Sequence, residues 1–227
     1  MQNRNPRISI VIPTLNEEKN IRKTITAIKK RVTFKDYEII VSDSYSSDRT
    51  IEYAKAAGAK IIRSKHGKGL ALRLGFAASK GKIIVSIDAD MSNRPEEINL
   101  MVSAIDIGYD ICMGSRFIAG GGSEDISQIR RMGNKFFVFL VNLLYNANYT
   151  DLCYGYRAFR KDVLKKLNLK SEGFGIETEI SIMAKKSNLN IIEIPSFEKI
   201  RISGESNLKT FRDGYIILKT IIDCISR

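Results

Sequence analysis

Ile8-Ser9-Ile10-Val11-Ile12-Pro13, then residues 17–31 with Ile21, Ile25 and Ile28 at helical spacing, then Tyr37-Glu38-Ile39-Ile40-Val41, is the stretch on which the fold turns. A five-residue apolar run is too short for a helix and reads as a buried strand. The three isoleucines mark one face of a helix, and the second apolar run is another strand. The same alternation continues. A helix over 50–57 is capped by Asp48 and ended by Gly58. A strand over 60–63, a helix over 68–79, a strand over 82–87, a helix opened near Pro95 and a strand over 110–113 follow. Short, mostly apolar strands alternating with helices predict an α/β fold with a mostly parallel central sheet and helices on both faces. Such sheets bind ligands beyond the carboxyl ends of their strands. The informative loops are those after Ile12, Val41 and Ile87.

The second half reads differently. Gly120-Gly121-Gly122 is expected to be a flexible joint. A helix is expected over 126–145, strongly apolar after Lys135. Residues 151–160 alternate like a strand entering a turn, 176–187 form a helix, and 190–194 and 197–202 form strands. Residues 207–225 form an amphipathic helix with Leu208, Phe211, Tyr215, Leu218, Ile222 and Ile225 on one stripe. Without repeats, low-complexity tracts or a linker, the expectation is one domain over 1–227, with halves meeting near residue 115.

Apolar residues make up 44% and charged residues 27% of the 227, the composition of a folded protein. Lysine and arginine number 37 against 25 acidic residues. The net charge of +12 suits nucleic acid, an anionic membrane or phosphorylated ligands. Cys112, Cys153 and Cys224 are far apart and form no CxxC, which predicts reduced thiols filling the core of a cytosolic protein. The polar start carries no signal-peptide core. The longest apolar run, 136–141, falls well short of the roughly 18 residues of a membrane span. A soluble protein is expected, with contact at a membrane surface left open.

Asp88-Ala89-Asp90 follows the apolar strand directly. In extended backbone, residues i and i+2 point the same way. Two carboxylates there suit a hard divalent cation such as Mg²⁺ or Mn²⁺, which would neutralise a diphosphate leaving group. The alternatives are a capped turn before the Pro95 helix and a phosphatase-like nucleophile. An EF-hand loop fails because its positions 6 and 12 would be Asn93 and Asn99. Asp43, after the second strand, would reach the same sheet edge, where it either accepts from a base N–H or organises its Ser/Asp-rich turn. Gly67-Lys68-Gly69 opens a helix and is a candidate phosphate contact, although no P-loop pattern is present. His66, the single histidine, reads as a surface residue, which argues against Ser-His-Asp hydrolysis.

Together and in order, several segments are similar to the family-2 glycosyltransferases that include the polyprenyl-phosphate sugar synthases. They are Ile10-Val11-Ile12-Pro13-Thr14-Leu15-Asn16-Glu17-Glu18, Asp43, Gly67-Lys68-Gly69-Leu70-Ala71 and Asp88-Ala89-Asp90. Gly114-Ser115-Arg116, Gly155-Tyr156-Arg157-Ala158-Phe159 and Arg201-Ile202-Ser203-Gly204-Glu205-Ser206-Asn207-Leu208 complete the set. The resemblance covers about residues 7–210. It implies a Rossmann-like glycosyltransferase A fold and inverting transfer of a hexose from UDP or GDP to a polyprenyl or dolichyl phosphate on the cytosolic membrane face. Residues 1–115 would then be the nucleotide-sugar half and 116–227 the acceptor half.

The resemblance also implies roles. Pro13, Leu15, Glu17 and Asp43 would bind the nucleoside. Asp88, Ala89 and Asp90 would lie at the metal and diphosphate. Arg116, Arg130 or Arg131, and Arg201 would surround the acceptor phosphate, where guanidinium forks suit phosphate. A phosphate acceptor is already ionised and needs positioning more than a base. A hydroxyl acceptor would need one, with Asp151, Glu177 and Glu179 as candidates and the latter two preferred. Three departures stand out: Asp43 is followed by Ser44 where relatives carry a second aspartate, Ser92 stands where glutamine is frequent, and the usual serine near 130–134 is missing. Residues 136–145 are expected to be buried core, or else a partly exposed patch for a polyprenyl tail. The last helix, with Lys209, Arg212 and Lys219, would lie on an anionic membrane or pack on the sheet or a second copy. The rival readings are a transferase acting on a hydroxyl of a glycan or lipid-linked saccharide, and a basic nucleic-acid-binding module. The latter calls for exposed aromatics interleaved with cations, and no such pattern is seen.

Overall fold

A computed structural model describes residues 5–65, 67–204 and 209–227. His66 and Leu208, with the rest of 205–208, lie outside the described residues. The first half runs β1 (Ile8–Thr14), α1 (Ile21–Arg31), β2 (Tyr37–Asp43), α2 (Thr50–Ala56), β3 (Lys60–Arg63), α3 (Lys68–Ala78), β4 (Ile83–Ser86), α4 (Glu97–Asp106) and β5 (Ile111–Ser115). The second runs β6 (Gly122–Ser123), α5 (Gln128–Tyr145), β7 (Arg157–Arg160), α6 (Lys161–Lys166), α7 (Ile176–Lys186), β8 (Ile191–Pro195), β9 (Phe197–Glu198) and α8 (Thr210–Asp223).

The main sheet has the order β3-β2-β1-β4-β7-β5-β8. All its pairings are parallel except those of β7, which runs antiparallel between β4 and β5. Strand alternation divides the core. Ile8, Ile10 and Ile12 pack with Ile21, Ile25 and Ile28 of α1 and with Ile98, Met101 and Val102 of α4. Val11 and Ile40 face the other way, toward Leu72 and Phe76 of α3, Ile176 and Ile180 of α7, and Ile217 and Ile221 of α8. Each fully buried isoleucine contributes about 1.5–3 kcal/mol.

The expected α/β sheet is present, with local differences. Residues 151–156 are loop, and only Arg157–Arg160 pairs in the sheet. Residues 199–202 are not strand. Gly120-Gly121-Gly122 is packed rather than a loose joint. Gly122 pairs with Phe197 in the β6–β9 ladder, and a Cβ on Gly121 would come within 2.4 Å of the Ser115 carbonyl oxygen.

The largest surprise is α5. Of its residues only Asn134 and Val141 are buried, while Phe136, Phe139, Leu143 and Leu144 are all more than half exposed. The buried-core expectation for 136–145 is therefore overturned. The predicted stripe of α8 is likewise its outer face: Phe211 is 86% and Tyr215 69% exposed, while Ile217 and Ile221 hold the helix to the core. The two helices lie side by side, with Phe137 beside Gly214 and the Tyr145 hydroxyl donating to the Ile221 carbonyl.

Candidate active site

The chain leaves β4 at Ser86, and one more backbone bond, from Ile87 N–H to the Val11 carbonyl at 3.1 Å, keeps it extended. Ala89 then points into the core, and its carbonyl accepts from the Thr24 hydroxyl at 2.6 Å. Asp88 and Asp90, on the opposite side, face a cavity of about 1030 Å³ that Ala89 also borders. The turn is braced from within. Asn93 Oδ1 accepts from Asp88 N–H at 2.9 Å, Asp90 Oδ1 accepts from Ser92 N–H at 3.0 Å, and Asn93 Nδ2 donates to the Tyr154 hydroxyl at 2.8 Å. Segment 199–203 covers the loop, with Lys199 N–H on the Ser92 carbonyl (2.8 Å) and Asn20 Nδ2 on the Ser203 carbonyl (3.0 Å).

Charged partners converge on this turn. Asp88 Oδ1 lies 2.9 Å from Lys68 Nζ, which also lies 2.9 Å from Glu177 Oε1. Arg201 reaches Asp90 at 3.7 Å and Asp125 at 2.9 Å. Glu17 lines the same cavity and accepts from Asn20 Nδ2 at 2.8 Å. Burial pushes its carboxyl up from an ordinary 4.5 to about 7; the Asn20 bond works against this, and the Asp90 and Asp88 charges add to it.

The folded protein thus keeps a proton on Glu17 that the unfolded chain has lost, and stability falls as pH rises from about 4.5 to 7. A shift of this size corresponds to about 3 kcal/mol at most, reduced to roughly 1–2 kcal/mol by partial exposure. Glu17→Gln is expected to remove that loss, measured as the difference in urea stability between pH 4.5 and 7.

Pro13, Leu15, Lys68, Arg130 and Arg201 all line the cavity. Five other residues behave differently. Asp43 is 1% exposed. Its Oδ1 accepts from Thr14 and Ser46 hydroxyls and its Oδ2 from Ser46 N–H, so it organises its own turn instead of facing the cavity.

Arg116 borders the cavity, but its guanidinium is committed. It binds Asp151 through Nε (2.7 Å) and Nη2 (3.0 Å) and Glu198 through Nη1 (3.1 Å). Asp151, fully buried against it, is thereby removed as a candidate base. Arg131 stacks on the Phe117 ring at 5.3 Å while its neighbour Arg130 turns to the cavity. Glu179 is 0% exposed and accepts from Lys170 and Ser171 N–H and from Arg227. It stands two residues from Glu177, and on a helix that spacing sends side chains to opposite sides. Only Glu177 faces the cavity.

The glycines of Gly67-Lys68-Gly69 allow close packing on the 171–172 backbone, and Gly67 and Lys68 border the cavity. A Cβ would meet the Glu172 carbonyl oxygen at 2.2 Å from Gly67 and the Ser171 carbonyl oxygen at 2.5 Å from Gly69, and Leu70 N–H donates to Glu172. The three thiols are free as expected, but Cys153 borders the cavity instead of filling the core. Asp125, Glu198 and Tyr154 were missed by sequence reasoning, because their partners lie far away in the chain.

Away from the carboxylates the cavity changes character. Ile129, Phe136 and Phe137 of α5 face Phe211, Tyr215 and Leu218 of α8. One end is therefore charged and the other apolar.

The fold and the charged cavity are those of a glycosyltransferase, and the chain belongs to glycosyl transferase family 2, whose pattern matches residues 9–168. Among relatives, it is 35% identical over 211 residues to the dolichol-phosphate mannosyltransferase of Pyrococcus furiosus, covering 89% of this chain and 59% of that protein. It is 31% identical over 216 residues to the dolichyl-phosphate hexose transferase of Haloferax volcanii, covering 95% and 92%. The chain thus spans only about three-fifths of the Pyrococcus relative. The fold is that of glucosyl-3-phosphoglycerate synthase from Mycobacterium tuberculosis, solved with Mn²⁺, uridine-diphosphate and phosphoglyceric acid (TM-score 0.78, 23% identity, 96% of this chain and 78% of that one). This is the glycosyltransferase A fold.

Proposed function

We propose that the protein transfers a hexose, with inversion, from a nucleotide-diphosphate sugar to a polyprenyl or dolichyl phosphate. The observation that carries this reading is the two-ended cavity. An acceptor with an anionic head and a hydrocarbon tail matches Arg130 and Arg201 at one end and the α5–α8 groove at the other. The chain's relatives from Pyrococcus and Haloferax, a dolichol-phosphate mannosyltransferase and a dolichyl-phosphate hexose transferase, support this reading.

Asp88 and Asp90 would hold Mg²⁺ or Mn²⁺. The fit rests on their hard oxygens and on the local surplus of carboxylates, with Asp88, Asp90, Glu177 and Asp125 set against Lys68 and Arg201. Among the described residues no group of three or more His, Cys, Asp or Glu side chains is arranged to hold a metal, so diphosphate oxygens and water would complete the shell. When bound, the cation supplies charge neutralisation of the leaving diphosphate.

The remaining work falls to the chain. Pro13, Leu15 and Glu17 border the nucleoside side of the cavity, and Asp43 shapes it indirectly through its turn. Arg201 and Arg130 orient the acceptor phosphate. Arg116 fixes the wall behind them.

A hydroxyl acceptor fits less well. It would need a base, and Glu177, the one of the three candidate bases that borders the cavity, is already engaged by the Lys68 ammonium at 2.9 Å. Transfer assays with UDP- and GDP-hexoses on a polyprenyl phosphate and on the matching polyprenol separate the two. Product is expected on the phosphate; product confined to hydroxyl acceptors overturns the proposal.

The exposed apolar faces of α5 and α8, flanked by Lys135, Lys209, Arg212 and Lys219, would lie on an anionic bilayer, bringing the groove to the lipid. Among the described residues no helix is long and apolar enough to cross a membrane. The bilayer face would be the cytosolic one, where nucleotide sugars are available.

A further inference from the structure

Lys68 does not point a free ammonium at a ligand. It stands between two carboxylates, Asp88 Oδ1 and Glu177 Oε1, each 2.9 Å away. Gly155 lies beneath all three groups. A Cβ there would sit 3.0 Å from Lys68 Nζ, 3.1 Å from Glu177 Oε1 and 3.7 Å from Asp88 Oδ2. The ammonium is thus held between two carboxylates. Both are ion pairs of the same length, and they differ in burial: Glu177 Oε1 is buried, whereas the Asp88 side chain keeps 27% of its surface exposed.

A divalent cation on Asp88 would have to share that carboxylate with an ammonium already seated on it. Like charges a few ångströms apart in a partly buried site repel one another. We propose that Lys68 competes with the metal for Asp88, so that the nucleotide-free protein binds the cation weakly and a donor diphosphate strengthens binding by drawing Lys68 away from Asp88. The lysine is then a positioning residue that couples cation binding to donor binding, with Glu177 as its resident counter-ion and Gly155 as the open floor over which the ammonium moves. Coupling of this kind is reciprocal: the cation raises nucleotide affinity by the same factor. The inference rests on the metal reading of Asp88 and Asp90.

The test is calorimetric titration of Mn²⁺ into the full chain, alone and with saturating UDP or GDP. It compares wild type with Lys68→Met, Lys68→Arg and Asp90→Ala. Lys68→Met is expected to bind Mn²⁺ at least about ten-fold more tightly in the absence of nucleotide, and to lose a matching share of the nucleotide-induced gain. Lys68→Arg keeps the competing charge and is expected to keep the coupling. If Lys68→Met strands Glu177 and unfolds the chain, the Lys68→Met/Glu177→Gln pair keeps the charge balance and is expected to give the same gain.

If the coupling persists unchanged in these variants while Asp90→Ala abolishes Mn²⁺ binding, the metal site stands and the competition is refuted: nucleotide and cation then cooperate only through direct chelation. If Asp90→Ala binds Mn²⁺ as wild type does, the metal reading falls and takes this inference with it.

Discussion

Asp151→Asn is expected to destabilise the protein by about 3–5 kcal/mol, the usual cost of stripping one partner from a buried ion pair. Asp151 is fully buried and meets Arg116 with both oxygens, at 2.7 and 3.0 Å. The guanidinium is 7% exposed and lies 4.6 Å from the Tyr154 ring centroid. Water cannot replace the lost charge. Glu198, at 3.1 Å, stays to share it, which points to the lower end of the range. The network ties the end of β5 to the 150–152 loop and to β9, the frame around the cavity's polar end. Urea unfolding of the variant and wild type at neutral pH measures the loss. A change below about 1 kcal/mol would mean that Arg116 has another partner in solution, and its use as a phosphate ligand would regain its footing.

Asp90→Ala is expected to lower hexose transfer by about 10²–10³-fold at saturating cation, the range found when one preorganised electrostatic group is removed from an active site. The structural cost should be small. Asp90 accepts one backbone bond, from Ser92 at 3.0 Å, and approaches Arg201 only at 3.7 Å. Losing one such bond costs about 1 kcal/mol. A melting curve recorded with the transfer rate separates the two effects. A variant that melts near wild type and transfers at near its rate would remove Asp90 from the reaction.

Read along the chain these two aspartates are alike, yet one bolts the frame and the other faces the cavity. The difference lies in which distant side chain each meets. Arg116 and Asp151 are 35 positions apart, and Arg201 and Asp125 are 76. No local pattern encodes such pairs. The placement of Asp88 and Asp90 was legible because it follows from strand geometry, with Ala89 turned inward between them. The pairing of Glu177 with Glu179 was misread for the complementary reason: helix geometry separates residues two apart.

Local chemistry by itself determined the alternation of strands and helices, the parallel sheet, and the loop where carboxylates gather at the sheet's edge. Those features follow from periodicity and from the directions in which neighbouring side chains must point. Tertiary structure alone decided that β7 inserts antiparallel between β4 and β5, that Arg116 is occupied, that Lys68 sits between two acids, and that the apolar faces of α5 and α8 remain uncovered. An amphipathic stripe states only that a helix has an apolar side. Whether that side meets protein or solvent depends on what the rest of the chain leaves free to cover it.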